Sequence, residues 1–243
     1  MLGEELQLLK QVVEEFSAKE IDPLVPKIER EGVTQGILNS LAEKGFLGAL
    51  APVEYGGAGL DENGYTVLLE VLAKHSPSVA MYVLLQNSLF ISPVLRYGTK
   101  ELAQEIVPGI ASGRASGTII NYLLSGSSVS IEGSTLSGTA DLVPNASAQL
   151  CLVLAKSGND SQLALVDSGF HVVNDSTKLG FRGLKFSTVA FNGAGVKSIL
   201  ISSGGEREVQ NLYNELAYPV SAMALGMSEA ALDMAVSYAK ERQ

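Results

Sequence analysis

Residues 115–145, ASGTIINYLLSGSSVSIEGSTLSGTADLVPN, divide the chain. They contain no Lys or Arg and are dense in Ser and Gly. Upstream, apolar residues recur at the three- and four-residue steps of helices; downstream, they fall in short runs separated by Gly, Ser and Asn, as in strands joined by tight turns. A linker, a phosphate cradle and a worn binding site would all share this composition. The change of period decides the fold class: an α+β chain whose central β domain opens here.

Downstream, CLVLAKSGNDSQLALVD (151–167) reads as a hairpin turning at Ser157 to Asp160, and FHVVND, LKFSTVAF and VKSILIS continue the pattern. Roughly eight strand candidates without intervening helices predict a small antiparallel β-barrel or sandwich over residues 114–204. Residues 1–113 form an N-terminal helical domain. Its first helix runs Glu4 to Lys19 and stops at Pro23 and Pro26, and its second runs from about Thr34 to Gly45. A third starts at the N-cap Asp61, a buried fourth covers about Ser78 to Tyr97, and Thr99 caps a fifth.

Residues 205–243 read as the start of a C-terminal helical bundle, with a break at Pro219. Val220, Met223, Met227, Ala230, Met234 and Tyr238 form one stripe, and Ala222, Leu225, Leu232 and Val236 another. A helix apolar on two sides wants burial. Leaving four large side chains uncovered forgoes on the order of 6–12 kcal/mol, so self-association or a partner subunit is expected.

With 46% hydrophobic residues among 243, the chain can bury a substantial core. A net charge of −9, with 17 scattered Lys and Arg, excludes a nucleic-acid partner. The apolar run Val79 to Leu95 is interrupted by Gln86, Asn87, Ser88, Ser92 and Pro93, which predicts a core helix and no membrane span. The acidic, periodic N-terminus lacks the basic start and unbroken apolar core of an export signal. Cys151, the single cysteine, reads as a small buried hydrophobe, and a cytoplasmic location is expected.

His75 and His171 have no second ligand at metal-binding spacing, so no metal site is predicted, and His75 is assigned a helix-end cap or dipole role. No Gly-x-Ser-x-Gly elbow is present. Gly56-Gly57-x-Gly59 follows no strand and reads as a structural turn rather than a dinucleotide fingerprint.

Four words, in order, carry a resemblance. LAEKGFLGALAPVEYGGAGLDENGYTVLLEVLAKHSPSVA (41–80), RYGTKELAQEIVPGIASG, KLGFRGLKFSTVAF and LGMSEAALDMAVSYAKERQ resemble segments of the acyl-CoA dehydrogenase family. The likeness covers nearly the whole chain and implies a truncated, diverged member lacking most of the C-terminal helical domain. In that family FAD removes a hydride from the β-carbon of an acyl-CoA thioester while a carboxylate takes the α-proton.

The family holds its flavin with two words, Thr-Glu-Pro-x-x-Gly-Ser-Asp and Trp-Ile-Thr, both due inside residues 115–145. Alignment sets Asn121 to Ser128 against the first, leaving Gly126 and Ser127 as the matches beside Asn121; these three are the cofactor-site candidates. Leu142-Val143-Pro144 replaces the second, and Pro144 has neither hydroxyl nor N–H. At the position of the base found in a minority of the family stands Leu216, with Glu215 one residue away; Glu215 is the catalytic candidate and is read as a solvated surface acid.

The resemblance with these departures implies a protein with an eroded flavin site. It would act as a non-catalytic or partner-dependent subunit, as a homo-oligomer or beside a complete acyl-CoA dehydrogenase-like subunit, with acyl-CoA as the ligand class. The alternative is an active FAD-dependent acyl-CoA dehydrogenase.

Overall fold

A computed structural model describes residues 3–121 and 128–242. The helical domain contains α1 (Glu4–Phe16), α2 (Val25–Glu31), α3 (Gln35–Glu43), α4 (Glu62–His75), α5 (Pro77–Leu84), α6 (Ser92–Tyr97) and α7 (Lys100–Ala111). Asp61 and Thr99 cap α4 and α7 as their sequence positions predict: Asp61 Oδ1 accepts the Gly64 N–H at 2.8 Å, and Thr99 Oγ1 accepts that of Leu102 at 3.2 Å.

Two helices hold π turns that periodicity does not reveal. The first continues past Phe16 as Ser17–Ile21, and the buried fourth is α5 and α6 joined by the π stretch Leu85–Ile91. In the second case the wider turn ends at Ser92, so Pro93 enters α6 in its first turn, where its missing N–H costs little. Pro26 likewise opens α2 instead of ending structure, so a helix stands where the sequence predicts a stop.

Strands β1 (Gly117–Asn121), β2 (Ser128–Glu132), β3 (Thr135–Pro144), β4 (Leu150–Ser157), β5 (Asp160–Val166), β6 (Phe170–Asp175), β7 (Phe186–Gly195) and β8 (Ser198–Ile201) form one sheet in the order β6-β7-β3-β2-β4-β5-β8, with β1 paired to β4. The β4–β5 hairpin closes at the expected Ser157 and Asp160. The sheet is mixed rather than wholly antiparallel, because β1 and β2 both pair with β4 in parallel.

The unbroken apolar run at β4 follows from burial on both faces. Leu152 and Leu154 join the core shared with the helices, while Cys151, Val153 and Ala155 face a second core with Val129, Leu136 and Phe191. Burial pushes the Cys151 thiol well above its ordinary range, which makes it inert.

The chain ends in α8 (Gly205–Glu215) and α9 (Ala217–Glu241). The break falls at Leu216, not at Pro219, which occupies the tolerated first turn of α9. Pro219, Ala222, Met223 and Gly226 are buried, and the facing surface is α4. Leu225, Leu232, Met234 and Tyr238 are each more than half exposed. The helix Pro77–Tyr97 is long and apolar enough to cross a membrane, and most of it is buried inside this fold.

Candidate functional site

The β3 strand does not run straight. Between Ala140 and Val143 its pairing with β7 slips, a bulge that takes up Asp141 and Leu142. Leu142 has φ +54°, the left-handed region that a γ-branched residue rarely enters, and its side chain is half exposed. Such strain persists only where surrounding structure imposes it, and it gathers at functional sites.

The bulge borders a recessed cavity of about 190 Å³ where the three parts of the chain meet. Met81, Leu84 and Leu89 contribute from the helical domain; Ile119, Ile120, Val143 and Phe186 from the sheet; and Tyr213, Leu216 and Val220 from the α8–α9 junction. Asp141 is the carboxylate in the lining, and its Oδ1 accepts the Thr188 hydroxyl at 2.6 Å. Among the described residues the lining contains no Lys, Arg or His.

Two contacts hold the cavity wall in place. Gln86, 1% exposed, bonds Gly117 twice, accepting its N–H at 2.8 Å and donating to its carbonyl at 3.0 Å, which sets β1 against the core helix. The Thr118 hydroxyl donates to the Pro144 carbonyl, tying β1 to the end of β3.

Asn121 closes β1, in register with Leu154. Gly126 and Ser127 lie outside the described residues. Glu215 is at the surface but not simply solvated: its two oxygens accept from Arg96 Nη1 and Nη2 at 2.8 Å each, which raises the guanidinium's already high pKa and ties α8 to α6. Both partners are about half exposed, so Glu215→Gln is expected to cost less than about 1 kcal/mol in urea unfolding. A loss several times larger would mean that the pair does more than tie helices together.

His75 is not an isolated cap. Its ring nitrogens lie 2.7 Å from Asp22 Oδ1 and 2.7 Å from Glu14 Oε2, so it links α4 to α1 and to the turn Asp22–Leu24 that follows the π extension of α1. Around Gly57 the chain makes the tight turn read from sequence: an added Cβ would stand 2.0 Å from the Ala51 carbonyl oxygen. A larger, open cleft of about 630 Å³ lies at the β4–β5 turn, where polar groups bond across the seam; Asp160 Oδ1 accepts the Gly204 N–H at 2.9 Å and Ser161 Oγ that of Glu206 at 2.7 Å.

Sequence reasoning named the Leu142–Pro144 segment and Leu216 through resemblance but did not single out the other lining residues as a site. Met81, Leu84, Leu89 and Phe186 are apolar residues in helical or strand patterns, with no signal that separates a cavity wall from a filled core.

Residues 3–114 match the family model described as "Acyl-CoA dehydrogenase, N-terminal domain". Over 265 residues the chain is 26% identical to the mitochondrial short-chain specific acyl-CoA dehydrogenase of Sus scrofa, covering 100% of this chain and 64% of that protein. It is 27% identical to an acyl-CoA dehydrogenase of Bacillus subtilis (strain 168), covering 98% of this chain and 69% of the relative. The chain thus spans less than two thirds of the length of the pig protein. Butyryl-CoA dehydrogenase from Megasphaera elsdenii superposes with a TM-score of 0.89 at 22% identity, over 100% of this chain and 70% of that one, a likeness of fold.

Proposed function

From the premise that this chain belongs to the acyl-CoA dehydrogenase family, we propose that it is a non-catalytic or partner-dependent subunit whose own flavin site is eroded. The observation that carries this reading is the cavity wall at residues 141–144. Where the family resemblance puts Trp-Ile-Thr, Leu142 is bulged into a left-handed conformation and Pro144 has no N–H to donate. The Pro144 carbonyl already accepts the Thr118 hydroxyl.

The cavity's volume of about 190 Å³ falls below the roughly 300–1,000 Å³ of pockets that hold drug-sized ligands, and a flavin dinucleotide is larger than those. That volume supports the reading that the described residues do not hold FAD by themselves. Any dehydrogenation of an acyl-CoA in this reading requires the flavin and the base to come from another subunit, either a second copy or a complete acyl-CoA dehydrogenase-like chain. The outer face of α9 supports such an association: Leu225, Leu232 and Met234 expose 51, 64 and 74% of their surface. A cytoplasmic setting belongs to the same proposal and accords with the free, buried Cys151 thiol.

Purified protein is expected to be colourless, to gain no thermal stability from added FAD, and to have a solution mass above that of one chain. Ligand that binds the folded state must raise the melting temperature, so silence toward FAD is informative. Stoichiometric flavin absorbance would overturn the proposal in favour of an FAD-dependent dehydrogenase.

A further inference from the structure

We infer that Asn192 is a site of spontaneous covalent modification, its carboxamide condensing with the backbone nitrogen of Gly193 to a succinimide that water opens to aspartate and isoaspartate. Asparagine is chemically labile, most of all before glycine, where the ring is five-membered and no Cβ obstructs the attack. The chain contains that pair twice, as Asn63-Gly64 and Asn192-Gly193, in opposite surroundings. Asn63 lies in the first turn of α4, and the Gly64 N–H is held at 2.8 Å by Asp61 Oδ1. A nitrogen fixed in that way reaches its neighbour's carboxamide only after the cap and the helix start have opened.

Asn192 stands in looser structure. The β3–β7 register slips so that Ser137 pairs with Asn192 and Leu136 with Ala194. Gly193 is therefore the extra residue of a bulge, unpaired on β3, and the pairing of β6 with β7 reaches no further than Phe191. Its φ of +72° is one that glycine adopts freely, and a Cβ built there would meet nothing within 4 Å. Both residues are exposed, and among the described residues nothing hydrogen-bonds the Asn192 carboxamide. The peptide unit between them has room to rotate, which brings the Gly193 nitrogen to Cγ of Asn192.

In the first step the Gly193 nitrogen gives its proton to solvent base and bonds to Cγ, and the side-chain nitrogen leaves as ammonia. Water then adds to one of the two ring carbonyls. Breaking the new N–Cγ bond gives aspartate, whereas breaking the original peptide bond leaves the chain running through the side chain as isoaspartate, with an extra methylene in the backbone. Neither route needs an oxidant, metal or flavin, so the chemistry is independent of the cofactor reading. Both products add a negative charge to a chain whose net charge is already −9. Ala194, just beyond, is 1% exposed in the second core and paired with Leu136, so the longer isoaspartyl backbone displaces a residue that the sheet holds in place.

The test incubates the full folded chain in mildly alkaline buffer made with heavy-oxygen water, so that only conversions during incubation carry the label. Trypsin then releases Asn192 within residues 186–197 and Asn63 within residues 45–74, and mass spectrometry reads both. Asn192 is expected to convert at least about tenfold faster than Asn63, with isoaspartate among its products, and the difference is expected to disappear in denaturing urea. Asp61→Ala, which removes the cap over Gly64, is expected to speed Asn63 about fivefold and to leave Asn192 unchanged. Incubation is also expected to quicken amide exchange at Leu136 and Ala194 in the unsubstituted chain but not in Asn192→Gln, whose exposed side chain leaves the fold intact. Absence of label from residues 186–197 of the folded protein, or equal rates at Asn63 and Asn192 before unfolding, would overturn the inference.

Discussion

Gly226→Ala is expected to destabilise the protein by about 2–3 kcal/mol, although the same change in an exposed helix interior gains about 1 kcal/mol. Gly226 is buried on α9, and a Cβ there would stand 1.9 Å from the Glu70 carbonyl oxygen and 3.0 Å from the Lys74 nitrogen of α4. Both obstacles are backbone, so no rotamer change relieves them, and α9 has to move away. The movement would loosen Ala222 and Met223 from the core and lengthen the Lys74–Asp233 ion pair, now 3.2 Å. It would also shift Leu216 and Val220, which close one side of the cavity.

Urea unfolding checks the sign. A midpoint equal to or above that of the unsubstituted protein would show that the helices separate at no cost, and that their close approach is incidental. An exposed control on the same helix, Ala224→Gly, is expected to lose only the roughly 1 kcal/mol of helix propensity.

Much of the scaffold was legible because it is written in local chemistry. Asp61 and Thr99 announce helix starts through side chains that satisfy free N–H groups, and the hairpin between Ser157 and Asp160 is announced by Gly158 and Asn159. Two of the errors share an origin: Pro26 and Pro219 were read as breaks. Pro26 and Pro219 instead lie in first turns, where an N–H would have no helical partner, and Pro93 enters the first turn of α6 directly after the π stretch Leu85–Ile91.

The candidate site was less legible for a different reason. Its walls come from residues about 140 positions apart, such as Met81 and Val220, and its apolar wall residues are of the same types as those in a filled core. Glu215 and His75 show the same limit in polar form. Their partners, Arg96 and the pair Glu14 and Asp22, lie 119, 61 and 53 residues away, so no local pattern could distinguish an engaged side chain from a solvated one.

Gln86→Leu is expected to cost about 2–3 kcal/mol while barely changing side-chain volume, because the loss is one of hydrogen-bond satisfaction and not of packing. The carboxamide is buried and occupies both backbone groups of Gly117 at 2.8 and 3.0 Å. Leucine would leave the Gly117 N–H without that partner in a dry environment, whereas the carbonyl would retain Asn145 Nδ2 at 3.4 Å. A buried orphan N–H alone costs about 1–3 kcal/mol. Gly117 has little freedom to seek a new partner: the Phe90 ring lies 2.2 Å from where its Cβ would be, so the strand start is wedged against the core helix.

The effect should propagate along β1, because Ile119 and Ile120 form part of the cavity wall two and three residues further on. Amide exchange in Thr118 to Ile120 is therefore expected to quicken by more than the average over the sheet, as local opening of β1 becomes easier than global unfolding. Uniform quickening across β1, β5 and β7 would mean that Gln86 contributes only to overall stability. Selective quickening in β1 would establish that this one carboxamide sets the height of the strand that lines the cavity.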